Sequence, residues 1–80
     1  MNLTELKENQ QAVITHCNEV ELPLKLMEMG CVTGAEIRFL SRAPLGTPLY
    51  YKLGNTRIAL GKNIADKIEV KVIDENEKTL

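Results

Sequence analysis

Histidine occurs once, at position 16, and cysteine twice, at positions 17 and 31, so the chain holds little of the usual material for acid-base or nucleophilic catalysis. No Ser-His or Cys-His motif frames His16. His16 and Cys17 are neighbours on a predicted strand, where adjacent side chains point to opposite faces and share no proton directly. Two cysteines without C-x-x-C spacing are too few for a disulfide scaffold, and they fit a reducing compartment. Long apolar runs are missing as well. None exceeds four residues, far short of the ~20 of a membrane helix, and the N-terminus has no apolar signal core. These absences predict a soluble, cytoplasmic, unprocessed chain that is not an enzyme and carries no cofactor.

What is present is one domain's worth of core. Of 80 residues, 44% are hydrophobic and 26% charged, which suits a single small domain over 1–73 with a frayed tail at 74–80. The net charge of −1 conceals an uneven distribution. Residues 1–36 carry 2 bases and 6 acids, residues 37–62 carry 5 bases and no acid, and residues 63–80 carry 3 bases and 5 acids. Arg38, Arg42, Lys52, Arg57 and Lys62 therefore form either a solvated strand face or a basic face that attracts phosphates or an acidic protein surface.

The hydrophobic pattern is mostly of period two. Asn2 and Glu5 have the spacing of a capped N-terminal turn with Leu3 and Leu6 on its apolar side. Residues 12–17 are rich in β-branched types and predict a first strand whose inward register stays open between Ala12, Val13 and Ile14. Pro23 suits a first helical turn and Gly30 a left-handed stop, so a helix is expected over 22–29. Ala35, Ile37 and Phe39 alternate with Glu36, Arg38 and Leu40 in a strand over 35–42, and Leu49, Tyr51 and Leu53 repeat the pattern over 48–53. Gly54 and Asn55 tolerate positive φ and predict a tight hairpin into a strand over 56–60. Gly61 to Ala65 reads as a short turn, and Ile68, Val70 and Val72 alternate in a last strand over 66–72. Five short strands with one inserted short helix imply an all-β, small, partly open antiparallel barrel, because closure hides edges that so short a chain cannot otherwise cover.

The chemical motifs are weak. His16, Cys17, Cys31, Met27 and Met29 are soft ligand types, yet none has ligand spacing on a common face, so no metal site is expected. The stretch GNTRIALGKN at 54–63 echoes a phosphate-binding loop but has six residues between its glycines, and Asn63 stands where Ser or Thr is required. Nucleotide hydrolysis is therefore not expected. Phe39, Tyr50 and Tyr51 are the only aromatics, and two of them fall in inward register, leaving Tyr50 alone to stack on a base.

Three blocks of the sequence resemble a known family. They are Leu26-Met27-Glu28-Met29-Gly30 leading to Gly34; Ala43-Pro44-Leu45-Gly46-Thr47-Pro48; and Ile58-Ala59-Leu60 running to Ala65, Ile68, Glu69 and Val70. Together they span nearly the whole chain and resemble the FeoA ferrous iron transport proteins. The resemblance implies an SH3-like barrel and a cytoplasmic accessory of FeoB, the ferrous iron transporter with a GTPase domain. It does not imply that this chain binds iron. Related barrels also end iron- and manganese-dependent repressors, but no helix-turn-helix precedes this one, so a repressor is not expected. Two classes of function stay in view. The first is a protein-interaction module on the transporter, with no nucleic acid bound and the membrane reached only through the partner. The alternative is a small-barrel nucleic-acid-binding protein using the basic segment 37–62.

For the first class the helix suggests where a partner docks. Leu22, Leu26 and Met29 form one stripe by three- and four-residue spacing and are expected on the barrel, which leaves Leu24 and Met27 turned partly outward. Pro44 and Pro48 stiffen the neighbouring loop and present Leu45 at little entropic cost. Leu24, Met27, Pro44 and Leu45 are the expected partner-binding residues.

Overall fold

The fold begins with a capped turn. Asn2 Oδ1 accepts the Thr4 backbone N–H at 2.9 Å and the Asn2 N–H donates to Glu5 Oε1 at 3.3 Å, closing a capping box on the single 3-10 turn Leu3–Glu5. The computed structural model describes residues 1–17 and 22–73. After the turn come β1 (Gln11–Cys17), α1 (Leu24–Glu28), β2 (Glu36–Arg42), β3 (Leu49–Leu53), β4 (Thr56–Leu60), α2 (Lys62–Ala65) and β5 (Ile68–Val72). The expected frayed tail at 74–80 lies outside the described residues.

All five strands join one antiparallel sheet in the order β4-β3-β2-β1-β5. Its inward faces share one core, in which Ala12, Ile14, Ile37, Tyr51, Ala65 and Ile68 are fully buried. Alternation decides this directly in β3, where Leu49, Tyr51 and Leu53 are buried between exposed Tyr50 and Lys52. The two-residue turn at Gly54-Asn55 uses the freedom of only its first residue, Gly54 with φ +61, as expected where glycine opens a hairpin turn.

β1 resolves its open register by changing phase. Ile14 pairs with Val70 but His16 pairs with Glu69, so Thr15 is an extra residue and a bulge. Ala12 and Ile14 face inward before it, and Cys17 faces inward after it while His16 is exposed. A second bulge at Leu40 lies between the pairs Phe39↔Tyr51 and Ser41↔Tyr50.

Several expected boundaries shift. The helix expected over 22–29 is only Leu24–Glu28, because Pro23 is its cap residue and Leu22 is anchored in the core ahead of it. The strands expected over 35–42, 48–53 and 66–72 begin at Glu36, Leu49 and Ile68. Residues 61–65, expected as a plain turn, hold a helical turn in which Ala65 is buried and Ile64 packs on the core. The expectation of one helix thus becomes two, and β5 starts later because the chain leaves α2 only at Asp66.

Candidate functional site

The site is built around α1, and its ends explain its position. At the C-terminal end the Cys31 N–H donates to the Leu26 carbonyl at 3.0 Å and the Gly30 N–H to the Met27 carbonyl at 3.1 Å. With Gly30 at φ +102, this is the glycine stop in which two loop amides satisfy the last helical carbonyls. Leu22 pins one side of the helix and Cys31, fully buried, pins the other. Leu26 and Met29 are held half-buried against the core between these pins.

Across from α1 runs β4, the outermost strand on that side of the sheet. Between them lies a groove of about 400 Å³. Leu26 and Met29 line its helix wall, Ile58 and Leu60 its strand wall, and Ile64 of α2 also lines it. Among the described residues its charged lining groups are Lys25 and Arg57, with no Asp or Glu beside them. The groove is therefore apolar with a cationic rim, a form suited to an apolar side chain that brings negative charge with it.

The expected partner-binding residues lie elsewhere. Leu24 is 67% exposed on the first turn of α1 and Leu45 is 94% exposed in the β2–β3 loop. Pro44 is exposed and Met27 half-buried. None of the four lines the groove. Residues that do, such as Lys25, Arg57, Ala59 and Ile64, come from three elements, α1, β4 and α2, and the sequence marks Arg57 only as one of the basic residues and Ala59 only as part of a family block. The one available signal was the helical turn after Gly61 that brings Ile64 to the groove.

The expected basic face divides. Arg38 pairs across strands with Lys52, and Lys52 with Arg57, so these three form one row. Arg38 is pinned in it, donating to the Asn9 carbonyl at 2.9 Å and to Gln11 Oε1 at 2.7 Å. Arg42 leaves the row because the bulge at Leu40 puts it opposite buried Leu49, where its guanidinium lies 5.7 Å from the centre of the Phe39 ring. Lys62 sits on α2.

The thiols are poorly placed for chemistry. Burial, with a smaller contribution from Cys17, pushes the Cys31 thiol up to about 11, so it stays protonated at neutral pH. Cys17 is buried and its Sγ lies 3.9 Å from the Cys31 carbonyl oxygen. Among the described residues, no three His, Cys, Asp or Glu side chains gather as a metal-binding group. No helix among them is long and apolar enough to cross a membrane.

A five-stranded antiparallel sheet curled around one core, with a groove at its edge, defines the class of small SH3-like barrel domains. Residues 1–72 match the FeoA domain, and the chain belongs to the FeoA family. A fusion of Fe(2+) transport protein A with the Fe(2+) transporter FeoB from Porphyromonas gingivalis is 38% identical over 77 residues, which is 95% of this chain and 9% of the fusion. The solution structure of iron(II) transport protein A from Clostridium thermocellum has a TM-score of 0.80 at 41% identity, covering 91% of this chain and 46% of that one. The crystal structure of Stenotrophomonas maltophilia FeoA, a prokaryotic SH3 domain protein complexed with zinc, has a TM-score of 0.74 at 32% identity, covering 89% of each chain. This chain thus spans about a tenth of the fusion and about half of the Clostridium protein.

Proposed function

We propose that this protein is a cytoplasmic, non-catalytic accessory of ferrous iron uptake that acts by docking on a FeoB-type transporter. The observation that supports this most is the Porphyromonas relative, in which a similar domain and a transporter form one polypeptide. Such a linkage holds two partners at a high effective concentration, which is useful when each binds the other weakly. The surface is consistent with docking: Leu24 and Leu45 expose large apolar side chains, exposed Pro44 precedes Leu45, and half-buried Met27 follows Leu24 by three residues on α1. The deciding experiment is a pull-down and titration with the transporter's cytoplasmic GTPase-containing region. Saturable binding is expected, and its absence at high concentration defeats the proposal. The row of Arg38, Lys52 and Arg57 favours a second reading, phosphate attraction by the sheet face. Without a stacking platform it gives only weak, salt-sensitive nucleic-acid binding.

A further inference from the structure

We infer that the outer edge of β4 takes up an extended acidic segment of a partner protein as a sixth strand, with alternate aliphatic side chains filling the groove against α1. The inference rests on the reading that this protein works by binding another protein, and it specifies how.

A two-residue turn forces its flanking residues, Leu53 and Thr56, to exchange both backbone hydrogen bonds. Such pairs alternate along an antiparallel ladder, so Tyr51↔Ile58 and Leu49↔Leu60 are the next pairs of that kind. The N–H and C=O groups of Arg57 and Ala59 therefore point away from β3. β4 is the last strand in the sheet order, and among the described residues no backbone group bonds to those of Arg57 or Ala59. Two donors and two acceptors stand at strand spacing along the groove wall, and Arg57 and Ala59 both line the groove itself.

A strand laid on this edge satisfies those groups and sends every second side chain into the groove, where Leu26, Met29 and Ile64 offer apolar contacts. The charges choose the occupant. Lys25 and Arg57 line the groove and no acid does so among the described residues, so the segment that fits carries carboxylates. A second copy of this chain fits poorly, because joining two β4 edges about a two-fold axis brings each Arg57 and Lys25 toward their own equivalents.

The test uses the full chain and a blocked hexapeptide of alternating glutamate and valine, followed by amide hydrogen exchange and chemical shifts. Saturable binding is expected, with exchange at Arg57 and Ala59 slowed roughly tenfold or more. The lysine-for-glutamate peptide should bind roughly tenfold more weakly or worse, as should the acidic peptide toward Arg57→Glu. Two peptides N-methylated at alternate residues, one on the glutamates and one on the valines, change nothing in the protein; the one whose methyl groups face β4 should lose binding because its ladder cannot form, and the other should keep it. Four results overturn the inference: no binding; binding without protection at Arg57 and Ala59; protection already present in the free protein; and protection that grows with protein concentration alone. The same measurement with the transporter's cytoplasmic region separates the two proposals. If that region binds without protecting these amides, strand addition falls and transporter docking stands. If it fails to bind while the acidic peptide protects them, the docking reading falls and strand addition stands.

Discussion

The Tyr51 hydroxyl donates a buried hydrogen bond to the carbonyl oxygen of Leu3 at 2.9 Å, joining the middle of β3 to the N-terminal turn. The ring of Tyr51 lies 5.4 Å from that of Phe39 at a tilt of 49°, so one side chain carries both an aromatic contact and a polar tether. Burial, only partly offset by the Arg42 charge, raises its phenol to about 12.

Tyr51→Phe keeps the ring and removes the tether, leaving the Leu3 carbonyl without its partner. At neutral pH the expected loss is about 1–2 kcal/mol, read from urea denaturation. The difference should then shrink in alkali. The folded protein holds this proton more tightly than the unfolded chain, so the wild type has its full advantage below pH 10 and loses it as the pH rises toward 12. Tyr51→Phe has nothing to ionise there, and its stability should fall less steeply. Parallel curves for the two proteins would contradict the assignment.

Gly54 stands at φ +61, and a methyl group placed on it meets no neighbour within 4 Å. Gly54→Ala therefore tests backbone preference alone. A loss of about 1 kcal/mol is expected, read from the shift in denaturant midpoint, with the sheet unchanged by circular dichroism.

The thiol of Cys31 is fully buried and raised to about 11, and Cys17 is only 6% exposed. Alkylation at neutral pH should be slow in the folded protein and fast in denaturant, with a native rate that follows the opening equilibrium. Rapid labelling of Cys31 under native conditions would show that the segment after α1 opens independently.

Leu24→Asp and Leu45→Asp replace side chains 67% and 94% exposed, so each should leave the melting temperature nearly unchanged. If transporter docking uses this surface, each should weaken binding by about 1 kcal/mol or more by calorimetry. Wild-type affinity in both would turn attention to the groove between α1 and β4, where Arg57→Glu is the matching test.

The sequence was most legible where one local rule decides the outcome. Gly30 could end a helix because only glycine takes φ +102 without strain, and Gly54-Asn55 between alternating runs could hardly be anything but a hairpin. The exposure of Leu24 followed from a helix too short to bury every apolar residue. What stayed hidden depended on distant partners. Ile64 looks like any apolar residue after a glycine until it is seen against α1, and the groove it lines draws on α1, β4 and α2. The split of the basic residues was hidden too, since strict alternation carries Arg42 with Arg38 and only the bulge at Leu40 separates them. A bulge adds one residue to one strand, and its composition here, Thr15 or Leu40, does not announce it.

Those two bulges also mean that β1 and β2 each carry a phase mark. In an evenly alternating strand, a slip of two residues restores every side chain to its proper face, so burial alone does not forbid the misaligned pairing. In β1 the same slip moves Thr15 off its unpaired position. Part of the strand then reverses, driving His16 inward and Cys17 out for a slip one way, or Thr15 inward and Ile14 out for a slip the other. In β2 a slip past Leu40 sends Arg42 or Ser41 toward the place of Phe39. The irregularities therefore act as keys cut for a single lock, giving a short sheet of interchangeable-looking strands only one way to zip.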